Sequence, residues 1–526
     1  MNYHNLLVDR VLPVNRDEYL SLPEVLASLT QGDQIESFPG LQPHQWPAWY
    51  QFLVQVAALS TLDRPEEWRA YNPADWQAAL RRLTPDHPSD EPWCLVVEDL
   101  EKPALLQPPV PEGTLNDFEG PLRSPADSSL DLLVTTRHHD LKADRGAEPG
   151  LYHWMYSLVT LQTQAGFDGR QNYGIVRMNG GFASRPLVGI ATGRGWGERF
   201  RRDLGVLIRK HAELASKHER GNRIALAWME SWDGEGQLAL KDCSPYVIEV
   251  ARRVRLVQAD HGLAAYRRGT QNARLSPKSD VFKGNVGDPW IPINSETGVA
   301  LNVGATGFTY DRTRQLLLED GFEGSLCQQA QPEDGKAEHL WLCCAALARG
   351  QGGTEGFHER WVPIPARVRT RLLDPAGKTS LGELARERVA RAGNVWKSAL
   401  FPALQALLKG GGGNTGSKPL AMPERWRWTY ESGIDARYFP QLWADFDLDS
   451  TAQRVNWGEV LQELARSILR HAEREAPVPD ARRERASAAA WGLLEAGMRK
   501  QIPEAFADHT PTRDVEEDLD ADPTLP

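Results

Sequence analysis

Residues 161–189 read LQTQAGFDGRQNYGIVRMNGGFASRPLVG, and within them the stretch 174–186 holds three glycines and no acidic residue. Glycines let backbone N–H groups approach another surface closely. Asn179 adds a hydrogen-bond donor and acceptor, and Arg177 and Arg185 add positive charge. We therefore interpret this glycine loop (residues 174–186) as a candidate contact for a DNA minor groove or for phosphates. The alternative is a plain hairpin turn, since Asn-Gly is frequent in tight hairpins.

The chain as a whole is acidic, although the glycine loop is not. Its 526 residues include 60 lysines and arginines against 71 aspartates and glutamates, which gives a net charge of −11. This length predicts roughly two to four domains. Proteins that coat nucleic acid without specificity are usually basic overall, so we expect any nucleic-acid contact to be confined to local basic regions.

The cysteines and the apolar runs indicate the cellular compartment. The five cysteines are never spaced as C-x-x-C, so the sequence predicts neither a disulfide framework nor a four-cysteine zinc site. The N-terminus lacks the features of a signal peptide, and the longest apolar run, 340–348, is too short to span a bilayer. We expect a soluble, reduced, cytoplasmic protein with no membrane partner.

Basic residues are concentrated after the glycine loop. Residues 185–223 hold ten bases and four acids, and residues 252–283 hold eight bases and two acids. Such a face could dock on phosphates in one orientation, although solvated helix faces are the ordinary alternative. In VFKGNVGDPW, residues 281–290, Lys283 lies beside a glycine at the expected tip of a loop. It is a further candidate contact, although a single lysine is usually only solvated.

A second glycine-rich stretch, RGQGGTEGFHER at 349–360, follows the apolar run WLCCAALA and precedes WVPIP. The side chains of Gln351 and Thr354 could hydrogen-bond base edges, and Gly352 and Gly353 would let the backbone enter a duplex. The alternative is a surface turn between the apolar run and the strand-like segment that follows.

One cluster raises the question of catalysis. TTRHHDLKAD at 135–144 contains two histidines and two aspartates, which could bind a metal or transfer protons. No third histidine stands at ligand spacing, and the chain contains no G-x-S-x-G, H-E-x-x-H or Walker pattern. We interpret this stretch as a polar contact loop and predict no enzymatic activity and no cofactor.

Strand-like and amphipathic runs alternate up to about residue 372, and helical patterns follow. The sequence predicts an α+β fold, with a large mixed domain at 1–372, a C-terminal helical (four-helix) bundle at 377–510 and an acidic, disordered tail at 511–526. Ser380 and Glu383 form a capping-box pattern that predicts the start of the first helix of the bundle. Further helices are predicted at 46–59, 151–165, 455–476 and 481–502, and a strand at 5–14.

Four stretches in this order carry a resemblance to a known family: NLLVDRVLPV at 5–14, TTRHHDLKAD at 135–144, the segment 161–189 and RGQGGTEGFHER at 349–360, all followed by the helical C-terminal region. In this set the chain resembles the large subunit (CasA) of the type I-E CRISPR surveillance complex, Cascade. The resemblance spans nearly the whole chain, and the two glycine-rich loops are its most specific parts.

The resemblance implies a role in antiviral defence. Such a subunit recognises the protospacer-adjacent motif (PAM) in double-stranded target DNA and promotes strand opening for guide RNA pairing (R-loop formation). It then presents the site to a helicase-nuclease recruited in trans, and it is not itself a nuclease. The implied partners are target DNA, the CRISPR guide RNA, the helicase-nuclease and the backbone and small subunits of Cascade.

The resemblance also assigns residues to two surfaces. The first surface contacts DNA through a minor-groove loop, a lysine that enters the groove (with Lys278 as the alternative) and a wedge between the first base pairs. Its residues are Asn179, Gly180, Gly181, Lys283, Gln351, Gly352, Gly353 and Thr354. The second surface contacts the guide RNA or a neighbouring subunit, and its residues are His138, His139 and Lys142.

One departure from the family and two alternative functions bear on this interpretation. Some members bind zinc through paired C-x-x-C motifs, which this chain lacks, so we predict no metal and expect packing alone to support 135–155 and 240–260. In the first alternative, the chain is a metal-dependent nucleic-acid enzyme that uses His138, His139 and Asp140, and His139→Ala would abolish its cutting of nucleic acid. An assembly scaffold whose loops never contact DNA would bind motif-bearing and scrambled duplexes equally.

Overall fold

A computed structural model describes residues 2–120, 130–131, 150–178, 183–260, 262–276, 282–350, 353–411 and 424–506. The chain divides into two compact units, Met1–Lys378 and Thr379–Pro526. Among the described residues, the first unit mixes helices with strands and the second is helical. This arrangement confirms the α+β fold class. The acidic tail predicted at 511–526 lies outside the described residues.

The secondary structure of the first unit, in its described residues, is as follows. The helices are α1 (Leu22–Gln31), α2 (Trp46–Thr61), α3 (Pro73–Arg82), α4 (Leu151–Gln164), α5 (Trp196–Lys217), α6 (Tyr310–Leu318) and α7 (Ala366–Leu373). The strands are β1 (Asn2–Asn5), β2 (Leu12–Val14), β3 (Glu18–Leu20), β4 (Cys94–Val97), β5 (Leu187–Ala191), β6 (Ile224–Leu226), β7 (Leu238–Ala239), β8 (Cys243–Ile248), β9 (Arg253–Ala259), β10 (Gly262–Arg268), β11 (Leu275–Ser276), β12 (Ile293–Asn294), β13 (Phe322–Glu323), β14 (Leu340–Gly350) and β15 (Gly353–Ile364).

Helix α2 lies in the core of the first unit. It packs against α3, α4 and α5, and almost every one of its side chains is buried, as its apolar sequence predicts. Its two buried glutamines have partners: the side chain of Gln55 donates to the carbonyl of Tyr246 (3.0 Å), and Gln51 accepts from Gln164 of α4 (2.7 Å). Because buried polar groups are costly when unpaired, these bonds make the polar positions compatible with the core.

A three-stranded antiparallel sheet, in the order β15-β14-β5, forms the main β structure of the first unit. Strand β14 is central and almost wholly buried, and it pairs with β5 from Trp341 opposite Ala191 to Ala345 opposite Leu187. The remaining described strands form two-stranded pairs. Since β5 begins directly after the glycine loop, this sheet places that loop beside the β14–β15 hairpin.

The single strand predicted at 5–14 is wrong. Strand β1 ends at Asn5, the chain turns, and β2 begins at Leu12. The Asn5 side chain accepts a hydrogen bond from the backbone of Leu7 (2.9 Å), and its carbonyl accepts from Val8 (3.0 Å). An asparagine that satisfies the backbone in this way favours a turn over a continuous strand.

The second unit is a bundle of long helices in its described residues, and the first of them begins four residues before the unit boundary at Thr379. These are α8 (Pro375–Val395), continued by a π-helical turn (Trp396–Leu400) and α9 (Phe401–Leu408), then α10 (Glu424–Asp445), α11 (Ser450–Glu475) and α12 (Asp480–Gln501). Buried Arg388 pairs with Asp445 at 2.5 Å, which links α8 to α10. None of the described helices of either unit combines the length and apolarity needed to cross a membrane.

The predicted cap at Ser380 is wrong, because α8 begins earlier. The Asp374 carboxylate accepts a hydrogen bond from the backbone of Gly377, and its carbonyl accepts from Lys378, both at 2.8 Å. Asp374 followed by Pro375 is the stronger start signal, since aspartate caps the first turn and proline fits the first helical position. Ser380 therefore lies inside the helix.

Candidate nucleic-acid interface

Three separate stretches of the first unit lie close together, because the second and the third each pack on the first. They are the glycine loop, the lysine loop (residues 282–290) and the hairpin end (residues 349–354, where β14 and β15 meet). Ile175, Met178 and Ala183 of the glycine loop share a small buried hydrophobic cluster with Leu347 of β14. We call the surface formed by these three stretches the three-loop site.

The glycine loop is closed at its base by backbone hydrogen bonds. Ile175 donates to the carbonyl of Ala165 (3.0 Å), and Arg185 donates to the carbonyl of Gln164 (3.1 Å). Both ends of the loop are therefore fixed at the C-terminal end of α4. The four residues at its centre, 179–182, lie outside the described residues.

A buried carboxylate connects the glycine loop to the lysine loop. The Oδ2 atom of Asp288 lies 2.9 Å from Nε of Arg177 and 2.6 Å from a terminal nitrogen of Arg185. Arg177 also pairs with Glu249, whose other oxygen accepts from the backbone of Val176 (2.9 Å). These two arginines and two carboxylates are charge-balanced and almost fully buried, so they bind the two loops to one another.

The two arginines of the glycine loop therefore do not supply charge to a ligand, and that prediction is wrong. Arg177 is 1% exposed and Arg185 is 3% exposed. Burial lowers the pKa of the Arg185 guanidinium to about 10, and the neighbouring Asp288 carboxylate opposes that shift. Ion pairing explains how both arginines can be buried, because a buried charge is tolerated only beside an opposite charge and hydrogen-bond acceptors.

The two basic segments do not form the predicted basic face, because eight of their arginines are buried. The buried set is Arg185, Arg199, Arg202, Arg220, Arg252, Arg253, Arg255 and Arg274. Arg255, for example, donates to the carbonyls of Lys102, Val97 and Asp99. Several others pair with surface acids, such as Lys217 with Glu323 at 2.9 Å. The segments thus stabilise the fold through internal hydrogen bonds.

Lys283 lies at an exposed tight turn in the lysine loop. The backbone of Asn285 donates to the carbonyl of Phe282 (2.9 Å), and φ is +49° at Lys283 and +77° at Gly284. Two positive φ angles in the centre of a turn are characteristic of type I′, which favours glycine, asparagine and aspartate. A lysine in this position is therefore conformationally unfavourable, and its carbonyl is fixed by the backbone of Ala300 (2.9 Å).

Gly284 packs directly on the backbone of the glycine loop. A Cβ atom added to it would lie 2.7 Å from the Arg177 carbonyl oxygen and 2.7 Å from the Ala300 side chain. Gly298 is a matched control, since its φ is +67° and nothing lies within 4 Å of an added Cβ. We expect Gly298→Ala to cost about 1 kcal/mol through its backbone conformation alone, and Gly284→Ala to cost about 1–3 kcal/mol more through overpacking.

Urea unfolding of the two glycine variants measures this difference. Equal free energies of unfolding for Gly284→Ala and Gly298→Ala would show that the lysine loop does not pack on the glycine loop.

The hairpin end lies beside the glycine loop and is bent. Gly350 pairs with Gly353, and a register shift after Ala348 leaves Glu355 as an extra residue in β15. Bulges of this kind redirect the end of a hairpin. Arg349 forms an ion pair of 3.1 Å with Asp168, in the turn that leads into the glycine loop. Gln351 and Gly352, between the paired glycines, lie outside the described residues.

Of the predicted DNA-contact residues, the structure describes Lys283, Gly353 and Thr354, which lie in the two stretches that each contact the region of the glycine loop. The other sequence-predicted residues lie outside the described residues: His138, His139, Asp140, Lys142, Asn179, Gly180, Gly181, Lys278, Gln351 and Gly352. In the described part of the chain, no cluster of three or more histidines, cysteines or acids could hold a metal ion. The five cysteines are free and buried, and burial raises the pKa of the Cys343 thiol to about 12.

The residues that connect the three loops were not identified from the sequence. Asp288, Glu249 and Asp168 are acids far along the chain from their arginine partners, and a single sequence contains no signal for such pairing. The sequence does indicate a restricted backbone around Asp288, because this residue lies between Gly287 and Pro289, and the structure shows that Pro289 and Trp290 are buried.

Comparison with known proteins decides the fold. No protein-family model matches the sequence, and no curated protein matches it. Among solved structures, CasA from Thermus thermophilus has a TM-score of 0.62 at 15% identity and covers 95% of this chain and 100% of its own. Thermobifida fusca Cse1 has a TM-score of 0.60 at 15% identity and covers 96% of this chain and 99% of its own. This chain has the CasA fold.

A third similar structure is described as an assembly. A chain described as part of a CRISPR RNA-guided surveillance complex has a TM-score of 0.55 at 15% identity, and it covers 94% of this chain and 100% of its own. Because 94–96% of this chain is covered, the likeness extends over both units and includes the helical bundle. The resemblance seen in the sequence is thereby confirmed at the level of the fold.

Proposed function

We propose that this chain is the large subunit of a type I-E CRISPR Cascade complex. In this role it recognises the PAM in double-stranded DNA and promotes strand opening for guide RNA pairing. The observation that carries the proposal is the Asp288 ion-pair cluster, which joins the glycine loop and the Lys283 turn in a chain with the CasA fold. This buried cluster supports a shared role for the two loops that the family resemblance assigns to DNA.

The conformation of Lys283 supports a role in binding. A left-handed backbone costs an ordinary residue roughly 1–2 kcal/mol, and glycine or asparagine would avoid most of that cost. Strain of this kind persists where it serves a function. An exposed cation at the tip of a narrow turn can enter the minor groove, where readout depends on few donors and acceptors. Such degenerate readout accepts several related motifs.

The charge distribution of the chain agrees with recognition of a short DNA motif by the protein. In RNA-guided complexes the guide reads most of the target by base pairing, and the protein reads only a short duplex motif. A net charge of −11 limits binding to random DNA, and most arginines near the three-loop site are buried in ion pairs. Recognition through a small surface therefore needs no large basic face.

The proposal includes the partners implied by the family resemblance. The segment around His138, His139 and Lys142 would contact the guide RNA or a backbone subunit, and the helical bundle would contact the small subunits. The complex would recruit a helicase-nuclease in trans, in the cytoplasm, and the large subunit would itself catalyse no reaction.

Replacing Lys283 by asparagine tests the proposal. Because asparagine tolerates the left-handed turn, we expect Lys283→Asn to leave the free energy of unfolding unchanged or to raise it by up to about 1 kcal/mol. We expect the assembled complex to bind a PAM-bearing duplex about tenfold more weakly, since it loses a cation in the groove. Lys217→Asn, which removes an exposed lysine outside the three loops, is the control.

Filter binding with PAM-bearing and scrambled duplexes, together with urea unfolding, gives both readouts. If Lys283→Asn and Lys217→Asn leave the ratio of the two affinities at its wild-type value, the turn does not read DNA. If complex assembly fails instead, the lysine loop has a structural or subunit-binding role.

A further inference from the structure

A small cavity of the first unit lies against the three-stranded sheet, at the opposite end from the hairpin end. Its volume is about 110 Å³. Leu340 and its partner Ile364 form the first residue pair of the β14–β15 hairpin and line the cavity together with Ile190 of β5. Leu317 of α6 and Leu372 of α7 complete an aliphatic base. This base is suited to an apolar group that leaves water.

The cavity opens to solvent and also contains charged groups. Gln329 and Ala330 line it and are exposed. Lys378 of α8 and Glu319 line it as well, and they form an ion pair of 2.6 Å. An apolar interior with a few polar groups is the usual composition of a small-molecule site. Since a cavity of roughly 150 Å³ can hold benzene, this one has room for an apolar group of the size of a branched alkyl chain.

Arg369 of α7 lines the same cavity and has a hydrogen-bond donor that is not used. The residue is 9% exposed, and its two terminal nitrogens donate to the carbonyls of Asp334, Ala337 and Glu338. Its Nε atom has no acceptor among the described residues. The Asp334 carboxylate accepts from Arg202 through both oxygens, at 2.8 and 2.9 Å. A buried donor without an acceptor is costly, and a ligand in the cavity could supply the acceptor.

Arg255 has the same bonding pattern but does not line this cavity. It also donates to three carbonyls, and its Nε atom likewise has no acceptor in the part of the chain that the structure describes. An unused Nε atom is therefore compatible with an arginine that only stabilises the fold. The feature that distinguishes Arg369 is the adjoining cavity with its aliphatic base.

We infer that the cavity binds a short, branched aliphatic carboxylate, whose alkyl group packs on the aliphatic base and whose carboxylate accepts a hydrogen bond from Arg369. Lys378 and Glu319 neutralise one another, so Arg369 determines the charge that the ligand should carry. Arginine favours a carboxylate over a neutral acceptor, because charge-assisted hydrogen bonds are the stronger ones. The inference does not rest on the proposed function, because no residue of the three DNA-assigned loops lines the cavity.

Saturation-transfer NMR of the purified full-length chain with 3-methylbutanoate tests the inference. We expect saturable binding, and we expect the neutral 3-methylbutanamide to bind about tenfold more weakly, because a charge-assisted hydrogen bond is lost. Ala330→Trp, which places a large side chain at the exposed mouth, should abolish binding without changing urea unfolding. Arg369→Lys should weaken binding about tenfold, since lysine lacks the Nε donor of arginine. Arg255→Lys is the matched control and should leave the affinity for 3-methylbutanoate unchanged.

The possible results separate a ligand site from a cavity that holds only water. Absence of saturable binding to the wild type, equal affinities for the acid and the amide, or normal binding by Ala330→Trp would each overturn the inference. Tighter binding of N-acetyl-leucine than of 3-methylbutanoate would overturn the assignment to a free small molecule, because the site would then take the carboxyl end of a protein chain. If Arg369→Lys is unstable, Ala330→Trp decides. The DNA-binding assays of Lys283→Asn are a separate test, so either proposal can fail alone.

Discussion

Replacing Asp288 by asparagine should lower the free energy of unfolding of the first unit by about 3–5 kcal/mol. Asparagine keeps the size of the side chain and can still accept from the backbone of Trp290 (2.9 Å). Its amide nitrogen then replaces the oxygen that accepts from both arginines, so the variant removes the charge and that acceptor. Arg177 and Arg185 would then share the single buried carboxylate of Glu249. An uncompensated buried cation is strongly destabilising, because the interior replaces little of its lost hydration.

Asp242→Asn is the matched control for this prediction. Asp242 pairs with Arg223 at 3.5 Å, and both side chains are more than one third exposed. Exposed pairs contribute about 0–1 kcal/mol, so the control should unfold almost as the wild type does. Urea unfolding followed by tryptophan fluorescence measures both variants. If the free energy of unfolding falls by a similar amount in both variants, the Asp288 cluster does not hold the glycine loop and the lysine loop together.

The second large effect is expected at Gly181, in the centre of the glycine loop. If this backbone faces the minor groove, Gly181→Asp places a negative charge among phosphates, and repulsion between like charges costs several kcal/mol at an interface. We expect the complex to bind a PAM-bearing duplex at least about 100-fold more weakly, or 2.7 kcal/mol. Gly181→Ala, which adds no charge, should have a much smaller effect.

Gly335→Asp is the control for charge. An added Cβ there meets nothing within 4 Å, and the variant has the same net charge as Gly181→Asp. Gel-shift titrations of the assembled complex compare the three variants at one salt concentration, because salt alone changes such affinities. If Gly181→Asp and Gly335→Asp weaken binding equally, the effect is one of net charge, and the glycine loop does not approach DNA.

Local patterns allowed much of the fold to be predicted. The apolar run at 46–59 and the periodic runs at 455–476 and 481–502 form helices, because burial of a continuous face decides their structure. The predictions failed where a polar side chain accepts a hydrogen bond from the backbone and so moves the end of a strand or the start of a helix. Asn5 ends a strand that its apolar neighbours would continue, and Asp374 starts α8 ahead of the capping-box serine.

The candidate site was only partly predictable, for a different reason. Glycine-rich loops and a lysine at a loop tip can be read from local sequence, but the distribution of charge between surface and interior cannot. Arg177 and Arg185 look like ligand contacts until Asp288 and Glu249 are seen beside them. Likewise, the exposure of Phe282 can be seen only in the structure.

Photo-crosslinking from position 282 tests the central claim most directly. A benzophenone-bearing amino acid replaces the exposed Phe282 in the assembled, guide-loaded complex, which keeps Lys283, and the crosslinked nucleotides of a PAM-bearing duplex are mapped. If the three loops form one PAM-reading surface, the crosslinks should concentrate on the PAM and the adjoining base pair, and they should disappear with a scrambled motif. Crosslinks to other Cascade subunits alone, or spread evenly along both duplexes, would contradict that claim.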